Sequence, residues 1–399
     1  MSNNPAKDQL AFVGIGRAGY HRDNNSTDSL AALTLRACQN AILDAGLKPE
    51  DIDGVCGSQV NSQYVELGLG LSHVTWFSNP EILIGNQIVA ARNAIWSGAA
   101  STVLIYHSVF RLPFQSKSIA ADPFRIRASK LEERNDYRGF FGVGHVEPEP
   151  YGIFGSTPYA SWAIRYLHES GGSREDLALV AMNAHTNALD NPDAIHRFPL
   201  SVDDYMNARM VREPFCVYDM DVVVDGADAF VLTTAERAAD LAHKPVLLHS
   251  ATLGRGALSN DTASIDLRHT SQRVAADQAR NSSDVWTDDF DVLAIYDGFS
   301  IIPILWLENL GFCPPGEGLR WLADCWDTQS QRLSLKGRTL NPHGGSLTEG
   351  ATQGSGHVRE AIVQLRGTAG ARQVPDASSA LVATGGIFYN SQVSILRTN

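Results

Sequence analysis

The chain has 399 residues, a formal charge of −12 at neutral pH, and ordinary apolar and charged fractions of 44% and 19%. This length suits a globular protein with a large core or several, and the acidic balance with no long Lys/Arg cluster excludes a general nucleic-acid binder, which needs a basic face against phosphates. A small anionic ligand bound locally is still compatible with that charge.

Met1 to Leu10 is polar and has no apolar signal core, and no stretch reaches the uninterrupted apolar length of a membrane span. The expected location is therefore the cytoplasm. Ala11 to Gly16 reads as a strand followed by a glycine turn. From Ser29 an amphipathic helix runs through Leu30, Leu33, Leu35, Ala37, Ile42 and Leu43, then reaches Glu50-Asp51-Ile52-Asp53-Gly54-Val55 and a Gly/Ser/Asn-rich turn. Gly85 to Ala100 is a long apolar helix candidate, and Thr102 to Tyr106 a buried strand.

Between Arg111 and Gly152 the pattern breaks down into an irregular stretch of the kind that often forms binding loops. Thr157 to Ser170 and Asp176 to Leu189 read as helices, and Ala229 to Leu232, after Asp225-Gly226-Ala227, as a strand. A second copy of the opening pattern follows. Pro245 to Leu248 leads through Gly254; Ser271 to Asn281 is helix-like; Asp288 to Leu293 leads into the strand Ala294-Ile295-Tyr296. Ala380 to Thr384 and Gln392 to Leu396 read as two strands joined around Gly385-Gly386. The shared order of elements points to a duplicated α/β architecture. Five cysteines (Cys38, Cys56, Cys216, Cys313, Cys325) lack CxxC spacing, so they read as buried free thiols rather than a disulfide framework or a zinc site.

Several segments together resemble the thiolase superfamily, in the branch of sterol-carrier-protein-x thiolases and their lipid-transfer-protein relatives. They are Leu30 to Gly54, Val180 to Pro192, Asp225-Gly226-Ala227, Tyr296-Asp297-Gly298-Phe299 with Leu307 to Phe312, and Asn341-Pro342-His343-Gly344-Gly345 followed by Gly354. The resemblance covers nearly the whole chain. It implies a five-layer αβαβα fold built from two βαβαβαββ halves around two central helices, usually as a homodimer. The halves would be residues 1–110 with 153–240, and 241–399, with 111–152 a loop insertion.

Thiolase chemistry needs a cysteine to carry the acyl group, a histidine to activate it and a second cysteine as acid and base. On the resemblance, the nucleophile position falls near Ile82, the histidine becomes Ala351, and the second cysteine becomes Ala383 or Thr384. Acyl transfer through a covalent cysteine intermediate is therefore not expected. The steroid side-chain aldolases of this branch also lack the cysteine. The resemblance implies retro-aldol cleavage of a β-hydroxyacyl-CoA, with steroid or bile-acid side chains suggested, to a ketone or aldehyde and a short acyl-CoA such as propionyl-CoA.

The tyrosine of that branch matches Tyr296. A phenol of ordinary pKa about 10 is a poor base unless a partner helps it, and Asp297 reads as a loop-orienting carboxylate rather than that partner. The second tyrosine of the branch is replaced by Ala351, with Glu349, Thr352 and Gln353 alongside. Its replacement candidates are His343, Tyr389 and Glu349, each with an ordinary alternative: a histidine bonding its own glycine turn, a hairpin packing residue, a solvated carboxylate. Gly298, Asn341, Gly344, Gly345, Gly385 and Gly386 would shape the thioester pocket. His185 reads as structural. The basic residues Arg111, Lys117, Arg125, Arg127, Lys130, Arg134 and Arg138 would meet the CoA phosphates or a partner, or form a solvated loop diluted by Asp122, Glu132, Glu133 and Asp136.

No cofactor beyond the CoA thioester substrate is expected. The resemblance implies a separate OB-fold and zinc-ribbon subunit, which would hold any zinc. Two other readings stay open: a non-catalytic acyl-CoA or lipid-binding shell, and a scaffolding subunit.

Overall fold

The protein is described by a computed structural model over residues 4–22, 28–80, 83–110, 156–256, 267, 270–386 and 390–398. The stretch 111–152, Ile82 and Tyr389 lie outside the described residues.

In the first half, β1 (Leu10–His21) leads to α1 (Leu30–Asp44), β2 (Gly54–Gly57), α2 (Ser62–Leu69), β3 (Trp76–Ser78), α3 (Ile84–Trp96) and β4 (Thr102–Phe110). After α4 (Thr157–Ser170), α5 (Arg174–Ala188) and a small ribbon of β5 (Met210–Arg212) and β6 (Phe215–Cys216), the half closes with β7 (Asp225–Thr234). In the second half come β8 (Val246–Arg255), α6 (Ser271–Ser282), β9 (Val292–Ile295) and α7 (Ile301–Leu310). A meander of β10 (Trp326–Asp327), β11 (Arg332–Leu335) and β12 (Arg338–Leu340) follows, then α8 (Gly345–Thr348), α9 (Ser355–Leu365), β13 (Ser379–Gly385) and β14 (Asn390–Arg397).

The spatial order of strands repeats. It is β3-β2-β4-β7-β1 in the first half and β12-β9-β13-β14-β8 in the second, with β10 and β11 added at the far edge. Directions repeat as well: β2 is parallel to β3 and β4, as β9 is to β12 and β13, and the remaining pairs within each half are antiparallel. The halves join edge to edge where Ala11 and Phe12 of β1 pair with Leu247 and Val246 of β8.

Three apolar cores give the layering. Leu33, Ala37, Ala41 and Ile42 of α1 pack on Val13, Leu104 and Val231. Ile84, Ile88, Ala91 and Ile95 of α3 and Val358, Ala361, Ile362 and Leu365 of α9 share a central core with Phe12, Phe230, Leu248 and Val382. On the far side Ala275 and Ala279 of α6 and the wholly apolar face of α7 pack on Leu293, Ile295 and Val393. No helix among the described residues is long and apolar enough to cross a membrane.

The expected glycine turns are instead strand interiors. β1 runs through Gly14 and Gly16, and β8 through Gly254. A side chain there is excluded by a helix lying directly on the strand: a Cβ would stand 2.2 Å from the Ala41 carbonyl at Gly14, 2.0 Å from that of Ala37 at Gly16, and 2.1 Å from that of Ser271 at Gly254. The same close approach is thus built twice, by α1 in one half and α6 in the other. Tyr296, expected within its strand, stands one residue past the end of β9.

These contacts predict that Gly16→Ala and Gly254→Ala each destabilise the protein by about 1–3 kcal/mol, the usual cost of overpacking. Gly19→Ala, whose Cβ meets nothing nearer than 4.0 Å, is expected to leave stability nearly unchanged. Urea unfolding of the three variants checks the contrast.

Candidate active site

The site is built where β9 ends, and Asn341 fixes that end. At φ +47°, Asn341 turns its side chain along the strand, where its Oδ1 accepts the Ile295 N–H at 2.8 Å and its Nδ2 donates to the Ile295 carbonyl at 2.7 Å. Its carboxamide is consumed in this way, so it shapes the site through the backbone rather than by reaching into it. The next residue, Tyr296, donates its N–H to the Ala383 carbonyl at 2.8 Å, and its ring leaves the sheet half-buried.

The phenol hydroxyl of Tyr296 lies 3.5 Å from the Asp221 carboxylate. Gly298 makes room for the ring, since a Cβ there would stand 2.4 Å from the hydroxyl. Asp221 is held on a segment threaded between loops: its N–H donates to the Gly298 carbonyl at 3.1 Å, Val222 N–H donates to Ser346 at 2.9 Å, and Ala351 N–H donates to Val222 at 2.8 Å. Two residues earlier, Asp219 is buried and accepts from Tyr205 and Ser300 hydroxyls at 2.6 Å each. Burial pushes its carboxyl up, against those hydrogen bonds. Phe299 closes this wall by stacking on Tyr159 and Phe215.

Asp297 points the other way, into the core. Its Oδ1 accepts the Ser346 N–H at 2.6 Å and stands 3.1 Å from His357 Nε2. Its Oδ2 occupies the place of the missing Gly345 side chain, where a Cβ would be 1.9 Å away. Gly345 is at φ +68° and Gly344 at φ +95°, and a Cβ on Gly344 would meet Thr348 Oγ1 at 2.2 Å. Both glycines therefore serve the packing of the loop that carries His343. The His357 ring in turn lies edge-on to Tyr296, with centroids 6.0 Å apart, and perpendicular to His343 at 4.9 Å.

His343 is buried, 4.0 Å from Glu349, and its Nδ1 has no hydrogen-bond partner among the described residues. It does not bond its own glycine turn. Glu349, expected as a solvated loop carboxylate, is buried: it accepts from Arg359 at 2.8 Å and from Asn191 at 3.1 Å. Burial pushes the Glu349 carboxyl up, but the Arg359 guanidinium and its neighbours more than offset this and hold it below the usual carboxylate range. Arg359 also meets Asp228 at 3.0 Å, and Asp228 accepts from Tyr20 at 2.6 Å.

On the remaining wall, Gly385 is at φ +94° with Asn390 O 2.5 Å from where a Cβ would lie, and Gly386 gives its carbonyl to Ser271 and Ser391. Tyr389, beyond them, is outside the described residues. Thr384 donates to Gln392 at 2.8 Å. The turn into α3 is made by Leu83 at φ +102°, a backbone conformation seldom adopted by residues with a side chain. All five cysteines are free thiols whose pKa is pushed up, by burial first, the opposite of an activated nucleophile. His185 bonds the Phe198 carbonyl at 3.0 Å and packs on Phe198 and Tyr218. Asp221 and His357 are among the residues here that sequence reasoning missed; no spacing joins either to Tyr296.

Residues 257–398 match the family described as thiolase C-terminal domain-like. The chain is 29% identical over 377 residues to the 17-hydroxy-3-oxo-4-pregnene-20-carboxyl-CoA lyase of Mycobacterium tuberculosis, across 90% of this chain and 92% of that protein. It is 29% identical over 395 residues to a steroid side-chain-cleaving aldolase of Thermomonospora curvata, across 94% of each. Among solved structures, the Ltp2-ChsH2(DUF35) aldolase superposes with a TM-score of 0.82 at 26% identity, across 98% of each chain. In fold and in sequence the chain resembles the thiolase superfamily. The similarity extends to one protein named as a CoA lyase and another named as a steroid side-chain-cleaving aldolase.

The buried network sets a pH dependence. Burial drives the His343 pKa down to about 3, against the pull of Glu349, so the native imidazole is neutral while the unfolded one titrates near 6.5. Below pH 6.5 the unfolded chain binds a proton that the native state refuses. The stabilisation is therefore complete above that pH and is lost as pH falls toward 3, at up to about 1.4 kcal/mol per unit. His185, lowered by burial as well, adds in the same direction. Melting temperature is expected to fall between pH 7 and 5, and His343→Gln to flatten that slope without abolishing it; an unchanged slope would contradict the assignment.

Proposed function

We propose that this protein is a carbon–carbon lyase that cleaves a β-hydroxyacyl-CoA by a retro-aldol reaction, with a steroid or bile-acid side chain as the acyl group. The observation that carries the reading is the pairing of the Tyr296 phenol with the Asp221 carboxylate at 3.5 Å, in a site where no thiol is activated. Catalytic hydrogen bonds are commonly long without substrate and tighten when it binds.

A carboxylate beside a phenol does not make the phenol a stronger acid. It instead gives the phenol proton somewhere to go. As the substrate β-hydroxyl passes its proton to the Tyr296 oxygen, the phenol passes its own to Asp221, and no free phenolate has to form. The electrons of the O–H bond become the carbonyl π bond of the departing ketone or aldehyde. Those of the Cα–Cβ bond enter the thioester as an enolate. The stored proton then returns through Tyr296 to Cα, giving the short acyl-CoA. Atoms and charge balance without a covalent intermediate or a cofactor.

His357 and Asp297 hold the Tyr296 side of the pocket, and His343 supports them as a buried neutral group. The similarity to two proteins named as a CoA lyase and a steroid side-chain-cleaving aldolase supports the substrate class. A homodimeric core and a separate OB-fold and zinc-ribbon subunit complete the proposal; the structural relative whose name pairs Ltp2 with ChsH2(DUF35) supports the partner.

The test uses purified protein, alone and with that partner, on a β-hydroxy-α-methylacyl-CoA with a steroid-like tail, following propionyl-CoA and ketone. Tyr296→Phe is expected to lower kcat by about 10²–10⁴, the usual worth of a positioned acid/base, with ester binding retained. Asp221→Asn is expected to lower it in the same direction. Turnover of Tyr296→Phe within a few-fold of wild type would contradict the reading.

A further inference from the structure

A thioester enolate needs a hydrogen-bond donor aimed at its oxygen, and Ala351, at the turn where the superfamily resemblance places a functional side chain, offers none. Two residues on, Gln353 is held in an unusual way. Its backbone is at φ +53°, in the left-handed region that residues other than glycine seldom occupy, and its side chain crosses to the other half of the molecule. There its Oε1 lies 3.1 Å from Nε2 of His107 on β4. His107 is fully buried, and its Nδ1 lies 2.7 Å from the hydroxyl of Ser58, just past β2.

This chain of contacts fixes the carboxamide. With Gln353 Oε1 as acceptor, His107 Nε2 would carry the ring proton and Nδ1 would accept from the Ser58 hydroxyl. The Gln353 amide nitrogen is then turned away from His107, and no hydrogen bond to it exists among the described residues. The loop that holds it is tied to two segments that flank Tyr296. Ala351 bonds Val222, the neighbour of Asp221. Gly354 packs on Thr384, with 2.5 Å between a Cβ and Thr384 Cγ2, and the adjacent Ala383 accepts from Tyr296 N–H.

We propose that Gln353 donates from its side-chain nitrogen to the thioester oxygen and stabilises the enolate, with His107 and Ser58 as positioning residues that fix its orientation. The assignment rests on reading the pocket as a thioester-enolate site. In that role Gln353 neither gains nor loses a proton.

Exchange of the Cα hydrogens of propionyl-CoA in heavy water, followed by mass spectrometry, reports enolate formation without any cleavage step. It is measured on the full chain, alone and with its partner subunit, beside cleavage of the β-hydroxyacyl-CoA. Gln353→Ala and the near-isosteric Gln353→Glu, which places an acceptor where the donor stood, are expected to lower both exchange and kcat by about 10²–10³, the usual effect of losing one such donor. The dissociation constant of propionyl-CoA should move far less. His107→Phe is expected to lower kcat with little change in KM. Exchange in both Gln353 variants within threefold of wild type would overturn the assignment while cleavage by wild type left the lyase reading standing. Exchange that depends on Gln353 without any cleavage would uphold the donor and sink the lyase. A wild type that neither exchanges nor cleaves would overturn both.

Discussion

The Asp297 carboxylate is the constraint on which the site depends. It takes the Ser346 N–H at 2.6 Å and faces His357 at 3.1 Å, so the end of β9, the start of α8 and the first turn of α9 are tied to one buried charge. Charge-assisted hydrogen bonds of this kind are about twice as strong as neutral ones. The tie exists only because residue 345 has no side chain, since Asp297 Oδ2 fills that space. With Asp297 turned inward, the preceding residue is turned outward, and the Tyr296 phenol is delivered to Asp221. Gly298, one residue beyond, leaves the ring the room it needs.

The duplicated fold explains how such a site is assembled. Each half contributes the C-terminal ends of its parallel strands: β2 and β4 bring Ser58 and His107, and β9 and β13 bring Tyr296 and Thr384. The central helices α3 and α9 start at this seam, one from the strained turn at Leu83 and the other from the loop that holds Gln353. In the proposed reaction a phenol with a carboxylate acceptor and a carboxamide donor would serve an enolate formed by bond cleavage, with no acyl transfer to a thiol.

The repeat of elements and the presence of β13 and β14 were legible in the sequence because they are local patterns of period and composition. Glycines were the point where local reading failed. Gly14, Gly16 and Gly254 look like turn residues but serve helix–strand contact, which depends on Ala37, Ala41 and Ser271, residues of the helix that follows. Glu349 was misread for a similar reason: a carboxylate in a Gly/Thr loop looks solvated until Arg359 and Asn191, the latter more than 150 positions away, are seen beside it. Asp221, His107 and His357 have no sequence signal at all, since each acquires its meaning from a partner brought near only by the fold.

The central claim is carbon–carbon cleavage without an acyl-enzyme. It is tested most directly by rapid-quench intact-protein mass spectrometry during a single turnover of a β-hydroxyacyl-CoA, with short acyl-CoA and carbonyl product measured in the same samples. The account predicts equal yields of the two products while the protein mass stays unchanged at every time point. An acyl adduct that forms and decays at the rate of product release, on any of the five cysteines or elsewhere, would contradict it.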